Sequence, residues 1–286
     1  MGNNVKGGLK TALYVLVLLA LASPAVAQTW QVGMAPSFLT GTYGGDEETD
    51  IFYAPITAKR LFRDGDFTVV VPYLCVTGPA GVTIVGDSAV RTGSTTVRDG
   101  STRPSRGSGA AAPSSPAAPV ASVQRQCGLG DVVARGRYYL LDERWWYPTI
   151  ALRAHLKVPT ADAERGLGTG RPDEGMGVEI TRTLGGGLSV MADGGYTFLG
   201  QPDGVELNRP WWYDVGLGQD LARGVVNVSV FFEEYQAIVP GLPSARDVLA
   251  AFTLKGRGWQ AQIATQLGAS EGAAERGFTV GISRRF

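Results

Sequence analysis

The chain has little histidine, little cysteine and no net charge. Its 286 residues include one histidine and two cysteines, and 26 basic side chains balance 26 acidic ones. A near-neutral chain offers no broad basic surface to nucleic acid. The sequence also contains no Cys/His cluster with the spacing of a zinc site. We therefore expect no metal, no cofactor and no nucleic-acid partner.

Long apolar runs are missing after the N-terminus. At the start, Lys6 and Lys10 form a basic region before a short apolar run over 11–22, and Ala25-Val26-Ala27 gives a small-x-small cleavage pattern. These features predict a cleaved signal peptide over residues 1–27, whose removal takes away two lysines and leaves a formal charge of −2. A membrane anchor is the alternative, but a helical span needs about 20 apolar residues. No later segment reaches that length, so we expect no spanning helix.

What the sequence does have is 40 glycines and many short alternating runs. They divide into about twelve predicted strands: 29–42, 50–63, 66–78, 130–141, 144–159, 174–184, 187–199, 209–221, 224–238, 246–256, 258–268 and 276–286. Tight turns alternate with longer connections, as in outer-membrane barrels. The predicted fold is all-β, a transmembrane antiparallel up-and-down β-barrel over residues 28–286, with both termini in the periplasm. A soluble secreted sandwich or barrel is the alternative.

The two faces of the predicted strands differ in polarity. Strand 224–238 places Val226, Val228, Val230 and Phe232 on one face and Asn227, Ser229 and Glu233 on the other. A charge on the lipid face near the midplane costs about 2–4 kcal/mol, so the charged faces should point into the lumen. Aromatic residues near strand ends suit interfacial girdles: Trp30, Trp145, Trp146, Trp211, Trp212, Tyr213 and Trp259. In a soluble barrel the polarity would invert, and periodicity alone does not decide between the two.

The last strand decides in favour of the membrane. It alternates apolar and polar residues and ends on Phe286, and so it resembles the C-terminal signal of bacterial outer-membrane barrels. That resemblance, together with the signal peptide, places the chain in the bacterial outer membrane. It implies outer-membrane lipids and the barrel-assembly machinery as partners, the latter through the C-terminal strand. We expect a monomer.

One long connection, over 79–129, interrupts the strand pattern. Residues 93–124 are rich in Gly, Ser, Ala and Pro, a composition that cannot bury enough surface to fold. We predict a long, partly disordered extracellular loop. Cys75 and Cys127 flank it, and export into an oxidising space makes a disulfide between them plausible. The bond would close a loop of about 50 residues, worth about 4 kcal/mol in the chain-entropy model. Two free thiols are the alternative.

Several stretches carry a family resemblance. They are 50–55 (DIFYAP), 71–74 (VPYL), 76–79 (VTGP), 128–132 (GLGDV), 156–162 (LKVPTAD), 166–170 (GLGTG) and 194–196 (GGY). In this order and spacing, from about residue 48 to 286, the chain resembles the outer-membrane barrel family labelled as transporters of the MetA pathway of phenol degradation. The resemblance implies passage of small, hydrophobic or aromatic molecules across the outer membrane. It carries over no catalytic or binding residue.

Alternation along the strands predicts which charged residues face the lumen. The inward basic candidates are Arg135, Arg137, Arg153, His155, Lys157 and Lys255, and the inward acidic candidates are Glu179, Asp193, Asp214 and Glu233, with Asp220 and Arg285 at the ends. The basic residues concentrate on the fourth and fifth strands and the acids on the sixth to ninth. We therefore predict a transverse electric field across the lumen. Direct pairing of these groups in a closed lumen would contradict that prediction.

The predicted function is a channel or transporter for passive diffusion of small molecules. A non-conducting barrel with a structural or surface-interaction role, using the 79–129 loop for contact, is the alternative. A weaker alternative is an outer-membrane lipid hydrolase, in which His155 would be the only histidine available to activate a serine. The residue two positions on, on the same face, is Lys157 rather than a serine. We therefore expect no enzyme and no catalytic residue.

Overall fold

The computed structural model describes residues 29–45, 47–78, 82–85, 88–91, 124–201 and 207–286. These ranges form sixteen strands and one short 3-10 turn at Ala222–Gly224. In chain order the strands are β1 (Thr29–Met34), β2 (Ser37–Gly41), β3 (Thr49–Leu61), β4 (Gly65–Gly78), β5 (Val82–Val85), β6 (Ser88–Arg91), β7 (Gln124–Leu129), β8 (Val132–Leu141), β9 (Thr149–Val158), β10 (Asp173–Gly185), β11 (Leu188–Phe198), β12 (Trp211–Leu221), β13 (Val226–Tyr235), β14 (Ala245–Gly256), β15 (Trp259–Gly268) and β16 (Arg276–Arg285). The predicted signal peptide, residues 1–27, lies outside the described residues.

The strands form a closed barrel of twelve antiparallel wall strands. β1 and β2 together make the first wall strand, and β7 and β8 together make the fourth. β16 pairs with β1 and β2, with Gln31 opposite Arg285. The backbone N–H of Phe286 donates to the carbonyl of Trp30 at 2.8 Å. Closure leaves no open edge in lipid, where unpaired backbone groups are costly. The predicted fold class and strand count are confirmed.

The outer surface of this barrel is an apolar belt. Outward positions along the middle of the strands carry exposed apolar side chains, among them Ile56, Leu152, Val178, Leu217, Val230, Ile263 and Val280. Charged outward positions lie near strand ends, as at Arg60, Arg182, Glu234, Arg246, Arg276 and Arg284. Lipid favours this arrangement because the cost of a charge falls towards the interfaces. The described chain contains no helix long and apolar enough to cross a membrane. The barrel and its belt match the predicted bacterial outer-membrane location.

Prolines interrupt the first wall strands at one level. Pro36 separates β1 from β2, and Pro55 on β3 lies opposite Pro72 on β4. Because proline has no N–H donor, the ladder there depends on proline carbonyls accepting from neighbouring strands. The N–H of Ala35 donates to Pro55 at 3.3 Å, and the N–H of Gly130 donates to Pro72 at 2.9 Å. The breaks between β1 and β2 and between β7 and β8 both fall at this level.

The segment predicted as the 79–129 loop contains more strand than expected. β5 and β6 form a small hairpin, and β7 extends the fourth wall strand back to Gln124 rather than residue 130. Cys75 lies directly opposite Cys127 on the β4–β7 ladder, and the two form a disulfide with a Cα–Cα distance of 4.1 Å. The predicted bond is therefore present at the base of the loop. Most of the low-complexity stretch, residues 92–123, lies outside the described residues.

A short connection at the opposite end of the barrel is longer than predicted. The sequence favours a tight turn at Asp142-Glu143, but β9 begins only at Thr149, so residues 142–148 form a loop. The guanidinium of Arg182 donates to the carbonyls of Arg144, Trp145 and Tyr147, each at 2.8 Å. Both Glu143 carboxylate oxygens accept from Thr183, one from its N–H and one from its hydroxyl. These side-chain bonds order a loop that alternation could not detect.

Candidate functional site

The barrel encloses a cavity of about 710 Å³. At the short-turn end it is lined by Gln31, Gln260 and Ser283, and towards the long loops it reaches Leu39 and Tyr53. Inward residues of nearly every wall strand contribute to the lining, because alternate side chains of each strand point to the same side of the wall. Twelve strands enclose more space than eight, whose interior side chains just fill. This hollow is the candidate functional site.

A band of charged residues crosses one side of the cavity. Arg137 on β8 contacts Glu179 on β10 at 3.0 Å and Asp66 on β4 at 3.9 Å. The same Asp66 lies 3.9 Å from Lys59 on β3. The guanidinium of Arg153 on β9 pairs with Asp193 on β11 and lies 5.5 Å from the ring centroid of Trp212. Charges on adjacent and next-nearest strands are thus paired with each other along the wall.

This pairing changes the predicted transverse field. Arg137–Glu179 and Arg153–Asp193 join basic and acidic residues that alternation assigns to separate sides of the lumen. Opposite charges in contact cancel much of each other's field at a distance. The cavity itself remains, with Arg135 and His155 on one part of its wall and Asp214 and Glu233 on another. The separation of charge across the lumen is therefore weaker than the sequence predicts.

Lys157, another of the predicted lumen residues, lies deep in the wall near the long-loop end. Its ammonium is 2.6 Å from Asp173 and 3.2 Å from Asp131, and it donates to the hydroxyl of Thr169 at 2.8 Å. The other oxygen of Asp131 accepts from the N–H of Ala161, and that of Asp173 from the N–H of Gly200. Lys157 therefore holds loop 159–172 against the ends of three strands and is not part of the cavity lining.

An apolar cluster lies at the long-loop end of the cavity. Leu167, from loop 159–172, is buried with residues of the first three wall strands and of the first and last long loops: Leu39, Tyr43, Ile51, Tyr53, Leu74, Val76 and Ala274. We call this set the apolar plug. Burial raises the pKa of the Tyr43 hydroxyl far above its usual value, and the nearby carboxylate of Asp50 raises it further. Leu39, Tyr53 and Ala274 face both the plug and the cavity, so the plug forms one end of the cavity.

The remaining predicted residues have different surroundings. His155 lines the cavity, and its ring packs so closely over Gly175 that a Cβ there would clash with the imidazole. Lys255 lies at the short-turn end, 44% exposed, 3.3 Å from Asp220. Trp212, predicted in an outer girdle, lines the cavity instead. The structure therefore separates the predicted lumen set into cavity lining, buried anchor and mouth.

Sequence reasoning missed several members of the site. Lys59 and Asp66 lie on the inward faces of β3 and β4, where alternation could have found them. Asp131 and Asp173 stand at strand ends, where the alternating pattern stops. Leu167 lies in a glycine-rich stretch that the sequence predicts only as a loop. Nothing in the neighbouring sequence predicts its burial in the apolar plug.

Comparison with solved structures places the fold among outer-membrane channels. The outer membrane channel from Pseudomonas putida F1 matches at 12% identity and a TM-score of 0.57, over 93% of this chain and 97% of that chain. The KdgM porin matches at 7% identity and a TM-score of 0.49, over 90% of this chain and 99% of that chain. The CymD monoaromatic hydrocarbon channel matches at 7% identity and a TM-score of 0.44, over 100% of this chain and 93% of that chain. No family model and no curated protein matches the chain by sequence. The first of these matches shows that the chain shares the fold of an outer-membrane channel. The resemblance to the phenol-degradation family stays a prediction.

Proposed function

We propose that the protein is a monomeric outer-membrane channel through which small molecules diffuse passively. The observation that carries this proposal is the cavity of about 710 Å³ inside a closed barrel. A barrel that served only as a scaffold could fill its interior with side chains, as eight-stranded barrels do. Here the charged side chains are held to the wall by their neighbours, which keeps them out of the open space.

The lining also supports a class of solute. Near the apolar plug the cavity wall carries Tyr53, Pro55, Val70 and Val133, whereas the charged band lies closer to the short-turn end. An apolar body would find favourable contacts with the first group, and a polar or ionised substituent would find partners in the second. We propose small molecules with an aromatic or otherwise hydrophobic body. The family resemblance in the sequence points to the same class.

Planar-bilayer recording tests the channel directly. The purified full-length protein should give discrete current steps, and their ion selectivity should shift towards anions in Asp193→Asn, because that change frees Arg153 in the lumen. Asp220→Asn is the matched control, since Asp220 is paired at the exposed mouth. An absence of steps over a wide voltage range would contradict a pore.

The class of solute is tested by uptake into liposomes that contain the protein, comparing monoaromatic compounds with sugars of similar size.

A non-conducting barrel is the second candidate, and the apolar plug favours it. The plug fills part of the long-loop end with buried side chains such as Tyr43 and Leu167. If it blocked the cavity permanently, the barrel would serve as a surface scaffold. Silent bilayers for both the protein and a variant with Leu167 shortened would support this candidate over the channel.

A further inference from the structure

Two arginines on the lipid-facing side of the barrel have no acidic partner among the described residues. Arg60 stands near the end of β3, and Arg284 near the end of β16. Both lie at the short-turn end, on outward positions, beside the seam where the chain ends meet. The other outward arginine of the described wall at this end, Arg182, is occupied by loop carbonyls and Glu143. Arg60 and Arg284 differ from it because, within the described residues, their guanidinium groups contact aromatic rings and pair with no carboxylate.

The aromatic neighbours hold both guanidinium groups in place. Arg60 lies 5.8 Å from the ring centroid of Trp30 and 5.2 Å from that of Phe62. Arg284 lies 5.6 Å from the ring of Phe286. Cation–π contacts orient a guanidinium without neutralising it. The rings leave the charge and most N–H donors of each arginine available to a ligand.

One donor of this pair is buried without a partner. The Nε atom of Arg60 is inaccessible to water and makes no hydrogen bond within the described residues. An unpaired buried donor on a charged group is costly. Because the protein itself covers this atom, a ligand from the membrane can reach Arg60 only through its other N–H donors.

Strand register places the two arginines close enough to act together. Arg60 is opposite Trp30 on β1, and Arg284 is opposite Val32 on the same strand. Their Cα atoms are thus two strands apart across the wall and two residues apart along it, about 12 Å at the usual strand spacing and rise. Two extended arginine side chains can span this gap around one anion. Forked guanidinium groups match the paired oxygens of a phosphate.

An apolar column continues from the pair towards the middle of the belt. Val32, Ile56 and Ile282 are 44%, 57% and 58% exposed on neighbouring strands. Acyl chains lying along this column would bury its surface while their headgroup reached the arginines. This continuity with the membrane belt favours a lipid over a free ion as the source of the phosphate.

We propose that Arg60 and Arg284, framed by Trp30 and Phe286, form a binding site for the phosphate of a membrane phospholipid at the short-turn end of the barrel seam. The lipid would clamp the first and last wall strands from outside. The site is independent of what passes through the lumen.

Native mass spectrometry of the full-length protein tests this site. The probe is dioleoylphosphatidylglycerol added to the detergent-purified protein. We expect retention of the lipid with an affinity at least tenfold higher than that of the double variant Arg60→Gln/Arg284→Gln, since even one charge-assisted bond is worth about this factor. Arg276→Gln is the matched control, because Arg276 is an outward arginine on the same strand at the opposite end. It should bind like the wild type.

A conservative variant and two competing ligands sharpen the test. Arg60→Lys should bind with intermediate affinity, since lysine keeps the charge but loses the fork. Its heat-modifiable gel migration shows whether the barrel is folded, so this variant tests the site even if the double variant does not fold. Equal retention by the double variant and the wild type overturns the proposal. So does equal binding of dioleoylglycerol, which lacks the phosphate, or displacement of the lipid by millimolar inorganic phosphate.

Discussion

Lys157 lies 2.6 Å from Asp173, and both side chains are only 2% exposed. A buried ion pair adds little stability compared with apolar packing, but removal of one partner leaves an uncompensated charge. The pair, with Asp131 and Thr169, is where loop 159–172 is attached to the wall. Its removal should therefore affect both stability and the entrance that this loop covers.

Lys157→Met is expected to destabilise the barrel by about 3–5 kcal/mol, because Asp131 and Asp173 would lose their shared cation. Chemical unfolding in detergent, followed by tryptophan fluorescence, measures the change. Lys255→Met is the matched control, since its exposed ion pair should contribute about 0–1 kcal/mol. Adding Asp131→Asn and Asp173→Asn to Lys157→Met should recover part of the loss. No recovery would mean that the methionine is harmful for reasons of packing.

Leu167→Ala is expected to open the long-loop end of the cavity. Leu167 is 2% exposed within the apolar plug, and truncation of a buried leucine costs about 2–5 kcal/mol. Loss of this contact should raise single-channel conductance, because loop 159–172 would hold the entrance less tightly. Leu217→Ala, at an outward position that is 55% exposed, is the control and should leave conductance unchanged. A lower conductance in Leu167→Ala would contradict the role of the plug as the closure.

Replacing both Cys75 and Cys127 with serine should lower the stability of the barrel by about 2–5 kcal/mol. The bond joins two strands across a sequence separation of 52 residues, so its loss restores much freedom to the unfolded chain. Unfolding monitored by heat-modifiable gel migration, with and without reductant, gives the comparison. Reductant should destabilise the wild type and have no effect on the double variant. An effect of reductant on the double variant would show that it acts elsewhere.

The conformation of loop 142–148 should depend on pH because its order depends on the ionised Glu143. Hydrogen bonds from the N–H and the hydroxyl of Thr183 hold the pKa of Glu143 below its usual value of 4.5, and Arg182 lowers it further. A carboxyl whose folded pKa is lowered stabilises the fold above its unfolded pKa, and this contribution is lost as the pH falls through the folded pKa. The fluorescence of exposed Trp145 and Trp146 should therefore change only at a pH below 4.5, the usual pKa of this carboxyl group.

Glu143→Gln is the variant that isolates this titration. Glutamine can still accept a bond from Thr183 but has no charge to lose, so the fluorescence change in acid should disappear. Glu164→Gln, in a long loop at the other end of the barrel, is the control and should titrate like the wild type. Retention of the acid transition in Glu143→Gln would assign it to another carboxyl group.

The strands and their pairing could be predicted because apolar and polar residues alternate along a wall strand that has lipid on one side and a polar lumen on the other. The same rule separates Trp212 from Trp211 and Tyr213, which the predicted girdle had grouped together. Neighbouring residues of a strand face opposite sides, so Trp212 cannot join the girdle of its two neighbours, and it packs beside Arg153 in the lumen.

The burial of individual inward side chains and the structure of the loops could not be predicted from this alternation. Alternation says that Lys157 points inward, but its burial depends on Asp131 and Asp173, which are 26 and 16 residues away in sequence. The loop that begins at Asp142 is ordered by Arg182, from the next hairpin. Such contacts follow from the assembled barrel and leave no periodic trace in the sequence.

The closing pair of strands has a consequence for how the barrel forms. Gln31 donates to the hydroxyl of Ser283 across 252 residues of sequence, whereas the other wall strands pair with their neighbours along the chain. Contacts between residues so far apart are slow to form, because the ends of the chain must first find each other. We expect the seam of β1 and β16 to be the last part of the wall to gain protection in pulsed hydrogen exchange during refolding. The time at which this molecule becomes a barrel is then set by its two ends.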